Sequence, residues 1–201
     1  MARPSRATSM AKCAESALLA AIEIYNKPLI EYREQTLALL LVSAWEVLLK
    51  ARVLQLNNNK LPSIYQRQKG SRRYRRTRSG DPWTIDLWQA LAKTSAPDPV
   101  RENLDGLTRI RNQAAHEGHL NPELRRSVLF YGTAAVQNFV RYANTWFGIP
   151  VRVPYLLPVG FVGSAMAAGL PGSQSQRRLL QQLRGLASNA GDQDSEYKVA
   201  I

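Results

Sequence analysis

The sequence predicts an all-α protein: an antiparallel bundle of about five helices, with a basic loop or hairpin inserted and an irregular C-terminal arm. Three observations predict it. Apolar residues recur at helical spacing through four long stretches. Three of those stretches open on capping residues and close on proline or glycine. One of them is apolar almost all round, which is the pattern of a helix buried among others.

Residues 1–8 read as a disordered tail, and residues 9–148 as the helical domain. Ser9 caps a first helix running to about Tyr25, with Ala14, Leu18, Ala21 and Ile22 on one face. Cys13 falls in its apolar register and reads as a small core residue. Pro28 separates it from a second helix, about Leu29 to Leu56, in which Leu37, Leu39 to Val42, Trp45 and Val47 to Leu49 leave almost no polar face. Glu46 is the anomaly in that run. A carboxylate buried without a partner is costly, and Arg111 is the expected partner across two packed helices. The alternative places Glu46 on a solvated seam.

Asn57 to Asn59 end the second helix, and the basic insertion spans residues 57–80. Lys60, Arg67, Lys69, Arg72, Arg73, Arg75, Arg76 and Arg78 follow one another there, with no acid between Glu46 and Asp81. Tyr65 and Tyr74 are interleaved. A short exposed hairpin turning near Lys69 to Ser71 is one reading, and a disordered loop is the other. Arginine forks suit phosphate and tyrosine faces stack on unpaired bases, so the segment reads as an RNA-facing arm. A merely solvated charged loop is the plainer alternative.

A short helix, Ile85 to Lys93, turns Trp88 and Leu91 inward. Asp98 and Pro99 then start a helix whose Val100, Leu104, Leu107, Ile110 and Ala114 form a buried stripe. At roughly 100° per residue, Asp105, Arg109, Asn112 and His116 share a narrow band opposite that stripe. Arg111 lies at the edge of the apolar side, where its guanidinium must reach water or an acid. Gly118 ends the helix, and Asn121-Pro122 starts the last long one. That helix runs to about Phe147, with Leu124, Val128, Ala135, Val136, Phe139, Val140 and Trp146 inward, and Gly148 closes it. The site thus falls at a helix-turn-helix corner, near a helix N-terminus whose amides favour phosphate.

Residues 149–201 read as a C-terminal extension. Pro150, Pro154, Pro158 and Pro171 make an irregular arm, a helix follows from about Gln174 to Leu186, and the chain stops on the strand-like Tyr197 to Ile201. Either that run pairs with something or the native chain continues past it. The apolar run Tyr155 to Leu170 is shorter than a membrane span and is interrupted by Pro158, Gly160 and Gly163.

The net charge of +12 and pI near 10.3 favour a polyanionic partner, nucleic acid before a membrane surface. A single cysteine allows no intrachain disulfide and suits a reducing cytoplasm. No cysteine–histidine cluster has metal-ligand spacing, and no phosphate-binding glycine motif is present, so no metal or other cofactor is expected.

The order Arg111-Asn112, three residues, His116 resembles the signature of the HEPN superfamily of helical ribonucleases. Asp105, six residues before the arginine, matches the acid of its kinase-extension nuclease branch. Tyr25-Asn-Lys-Pro28, Ala44-Trp-Glu46 and Ile110 to His116 together resemble a prokaryotic HEPN-like family over about residues 15 to 165. The resemblance implies a metal-independent endoribonuclease that works as a homodimer. It further implies a role as a toxin or antiviral-defence effector, with an antitoxin or other regulatory partner. His116 is assigned to base or acid, Arg111 to the phosphate, Asn112 to orienting His116 or the substrate, and Asp105 to support; His119 is a weaker candidate. One imidazole per protomer faces two proton transfers, which is itself a reason to pair. The expected products are a 2′,3′-cyclic phosphate and a 5′-hydroxyl. A non-catalytic HEPN-like module binding RNA or a protein is the alternative. A DNA-binding role ranks last, since no helix presents a base-reading face.

Overall fold

The computed structural model describes residues 3–117 and 122–151 and, within 174–182, residues 174, 175, 177–179, 181 and 182. Its α-helices are α1 (Arg6–Tyr25), α2 (Arg33–Leu56), α3 (Leu87–Ala92), α4 (Asp98–Glu117) and α5 (Pro122–Phe147), with a 3-10 turn at Leu61–Ile64. The all-α expectation holds, and no strand is present among the described residues beyond isolated bridges. His119, residues 152–173 and the terminal Tyr197 to Ile201 lie outside the described residues.

Helix α2 is the axis, in contact with α1, α3, α4, α5 and the 3-10 turn. Leu37, Leu41, Leu48 and Leu49 are all but completely buried along it. Each such side chain contributes about 1.5–3 kcal/mol by leaving water. Trp45 is fully buried and its indole Nε1 donates to the Ala135 carbonyl of α5 at 3.0 Å. Its ring meets Phe139 edge-on at 5.7 Å between centroids.

Three expectations need correction. Helix α1 begins at Arg6, not after a tail ending at residue 8. Ser5 is the cap, its Oγ accepting from the Thr8 amide, and the Ala7 amide donates to Asn59 Oδ1 from the loop after α2. That second bond joins residues 52 positions apart, so the local sequence could not announce it. Cys13 is exposed, because the buried face of α1 runs through Ala7, Ala11, Ala14, Leu18, Ala21, Ile22 and Tyr25 and leaves it outside. Helix α2 begins at Arg33, and residues 27–32 make a turn in which Leu29 is 94% exposed.

The basic insertion forms a hairpin-like arm. Arg67 pairs with Tyr74, Tyr65 with Thr84 and Arg76 with Pro82, all antiparallel. The first reversal falls at residues 69–71, as the hairpin reading expects: the Gln68 amide donates to the Arg73 carbonyl at 2.9 Å, and Gly70 takes a φ of 71°. Asp86 then caps α3, accepting from the Gln89 amide while the Gln89 side chain accepts from the Asp86 amide.

Candidate functional site on helix α4

Helix α4 turns its stripe of Val100, Leu104, Leu107, Ile110 and Ala114 into the core, each at most 1% exposed. The opposite band therefore faces outward. Asp105 is half-buried and Arg109, Asn112 and His116 are exposed. Asp105 and Arg109, one turn apart, form an ion pair at 2.7 Å. Asn112 and His116 repeat that spacing toward the C-terminal end of the helix, and neither has a side-chain hydrogen-bond partner among the described residues.

Arg111 is half-buried at the edge of the core, as its register predicts. Its Nε is fully buried and accepted by nothing. The expected Glu46 partner is not there. Glu46 Oε1 instead takes the Lys50 ammonium one turn along α2, at 2.5 Å, and Lys50 also donates to Thr84 Oγ1 at 2.9 Å. An intrahelical partner at i+4 costs less ordering than one on a facing helix. Arg111 is left without an ion-pair partner among the described residues.

Two residues the sequence reading passed over hold α4 in place. Asn103 is wholly buried and donates from Nδ2 to the Tyr131 carbonyl of α5 at 3.1 Å. Gly106 lies so close to the Tyr131 ring that an added Cβ would stand 2.5 Å from Cε1. The glycine lets an aromatic ring lie flat against the helix, and the signal for it was only a lone glycine inside a helical pattern.

Burial pushes the Tyr131 phenol up to about 12, and the nearby Asp105 and Glu102 carboxylates push the same way while Arg109 opposes them. The folded state thus keeps a proton that the unfolded chain sheds near pH 10.0. The sign follows: this contribution is intact below pH 10 and is lost as pH rises toward 12, at about 1.4 kcal/mol per pH unit while the group titrates. Urea unfolding across that window should show a shallower pH slope in Tyr131→Phe than in the wild type. Equal slopes would mean that another group, such as the likewise raised Tyr25, carries the whole effect.

Ser175 and Gln182 lie beside α4. Arg109 Nη1 donates to Gln182 Oε1 at 2.9 Å and Gln113 Nε2 to Ser175 Oγ at 3.2 Å, while Leu179 is buried. A helix was expected near Gln174 to Leu186, but its seat against the motif helix was not foreseen. Its Arg177 and Arg178 are exposed. At the other side, Tyr32 Oη donates to the Ala114 carbonyl at 3.0 Å, which sets the exposed turn of Leu29 and Ile30 beside α4.

On the arm, Lys60, Arg67, Lys69, Arg72, Arg73, Arg75, Arg76 and Arg78 are all exposed and none forms an ion pair among the described residues. Tyr65 and Tyr74 meet edge-on at 5.4 Å, and the Arg67 guanidinium stands 6.0 Å from the Tyr74 ring centre. Trp83, which the sequence reading left out, is 46% exposed with Arg75 stacked 5.1 Å from its ring centre. Among the described residues no three acids, histidines or cysteines stand together as a metal site would need. No helix there is long and apolar enough to cross a membrane.

These features define an all-α bundle that carries a cationic, aromatic arm and a polar band with one histidine on its fourth helix. The chain belongs to the family described as Domain of unknown function (DUF3644), whose model matches residues 9–186. No curated protein and no solved structure matches it.

Proposed function

We propose that the protein is a HEPN-type endoribonuclease that cuts RNA without a metal, in a cleft formed between two copies of the chain. The observation that carries this reading is the state of Arg111: a half-buried guanidinium with an unpartnered Nε, one position before Asn112 on the helix that exposes His116. A desolvated cation without an acid is costly, and an anion such as a backbone phosphate would offset that cost.

The RNA 2′-oxygen attacks the adjacent phosphorus and the bond from phosphorus to the 5′-oxygen breaks. One His116 takes the 2′-proton, and the His116 of the second copy gives a proton to the leaving 5′-oxygen. Arg111 neutralises charge on the phosphoryl oxygens. A 2′,3′-cyclic phosphate and a 5′-hydroxyl result. The arm holds the flanking strand through its arginines and exposed rings. Toxicity or antiviral defence, a cytoplasmic setting and control by an antitoxin-like partner accompany this reading through the HEPN resemblance.

The turn beside α4 supports pairing. Leu29, Ile30 and Tyr32 are exposed apolar side chains next to the motif helix, and a second copy would cover them. Leu29→Asp should leave the helical content of the protomer unchanged in circular dichroism, because so exposed a residue contributes within about 0.5 kcal/mol to its fold. It should convert dimer to monomer in sedimentation and lower cleavage at least tenfold. A variant that stays dimeric and active would place the interface elsewhere.

The deciding experiment is cleavage of end-labelled RNA in EDTA by the wild type and by His116→Ala. Activity that survives the chelator and disappears with the imidazole supports the nuclease. RNA bound by both and cut by neither assigns the chain to the non-catalytic module.

A further inference from the structure

A groove of about 690 Å3 opens where three distant parts of the chain meet: the start of α1, the loop after α2 and the base of the arm. Its size falls within the range of about 300–1,000 Å3 typical of small-ligand sites. Arg6, Lys60 and Arg67 line it, as do Tyr65 and Tyr74, and no acid does. Ser63 is on the same wall, its Oγ buried and without a hydrogen-bond partner. The twenty-residue helix α1 starts at the groove with no acid in its first turn, so the positive end of its dipole is uncompensated there. The Asn59 side chain, accepting from the Ala7 amide, ties the α1 end of the groove to the loop end.

We propose that this groove seats one unpaired nucleotide of a single-stranded RNA, the base against Tyr74 and the phosphate between Arg6 and Lys60. The chemistry favours that ligand over others. Tyrosine rings offer a face to any base, and the cations offer charge to a phosphate, but only an unpaired nucleotide supplies both groups at once. A duplex keeps its bases stacked inside and cannot use the rings. The seat does not depend on cleavage at α4; it extends the RNA-facing reading of the arm to a defined pocket and adds Arg6 to it.

The test measures binding apart from cutting. A fluorescent 2′-O-methyl oligonucleotide lacks the attacking hydroxyl, so anisotropy titrations of the full-length protein report affinity whether or not the α4 site is a nuclease. Tyr74→Ala should weaken binding of the single strand by about 5- to 150-fold, and Tyr74→Phe should retain most of it. Arg6→Ala should weaken it and reduce the slope of log affinity against log salt by about 0.7. Lys12→Ala removes an exposed charge of α1 that belongs to neither the arm nor the groove and is the reference. A blunt duplex of the same sequence should bind more weakly and should not respond to Tyr74→Ala. Equal losses from Lys12→Ala and Tyr74→Ala, or a duplex bound as tightly as the single strand, overturn the proposal. Circular dichroism of each variant keeps misfolding from passing as lost affinity: if Tyr74→Ala unfolds, the Tyr74→Phe and Arg6→Ala results decide.

Discussion

His116→Ala is expected to reduce RNA cleavage in EDTA by about 100- to 10,000-fold, the range that removal of a general acid or base produces. The fold should not change, because His116 is exposed in the last turn of α4. Arg111→Ala should cost about 100- to 1,000-fold through lost stabilisation of phosphoryl charge. Arg111→Lys should recover little, since an ammonium on a flexible stem does not reproduce a planar fork.

Mixing the variants tests the shared cleft directly. If both imidazoles are required, replacing wild type by His116→Ala protein at constant total concentration should suppress activity as heterodimers form, with cleavage following the square of the wild-type fraction. A linear fall would mean that each protomer works with its own histidine, and the two-copy mechanism would be abandoned.

Trp45→Ala is expected to be the most destabilising single change in the bundle, by about 3–5 kcal/mol. The loss has two sources. A large cavity opens between α2 and α5, where the indole meets Phe139 and, at 6.2 Å, Tyr142. The Ala135 carbonyl also loses its indole donor. For a chain of this size each kcal/mol corresponds to about 2–4 °C of melting temperature, so a fall on the order of 10 °C should be seen by calorimetry. Trp45→Phe, which keeps a ring but not the donor, should fall between the two. A shift of only a degree or two for Trp45→Ala would mean that α5 is not anchored through this ring. Since α5 carries the Tyr131 carbonyl that holds Asn103 of α4, loosening it should also lower activity at temperatures well below the melt.

The local alphabet was enough for most of the bundle. Repeats of Val100, Leu104, Leu107, Ile110 and Ala114 specified which side of α4 is buried, and therefore that Asn112 and His116 face out. The hairpin turn near Gly70 was legible for the same reason: a positive φ is a property of one residue and its neighbours. The density of arginine announced the arm before any coordinates placed it.

What the sequence by itself determined, then, was the set of helices, the buried face of α4 and its outward band, because helical period, caps and turn residues act over a few positions. Only the tertiary structure decided the partners. It gave Glu46 to Lys50 and left Arg111 without an acid among the described residues. It exposed Cys13, set Ser175 and Gln182 beside α4 and brought Arg6 to the foot of the arm across more than fifty residues of chain. Such choices depend on how helices rotate and cross when their apolar faces close together. A difference of one turn changes which charged groups meet, and no local pattern records it.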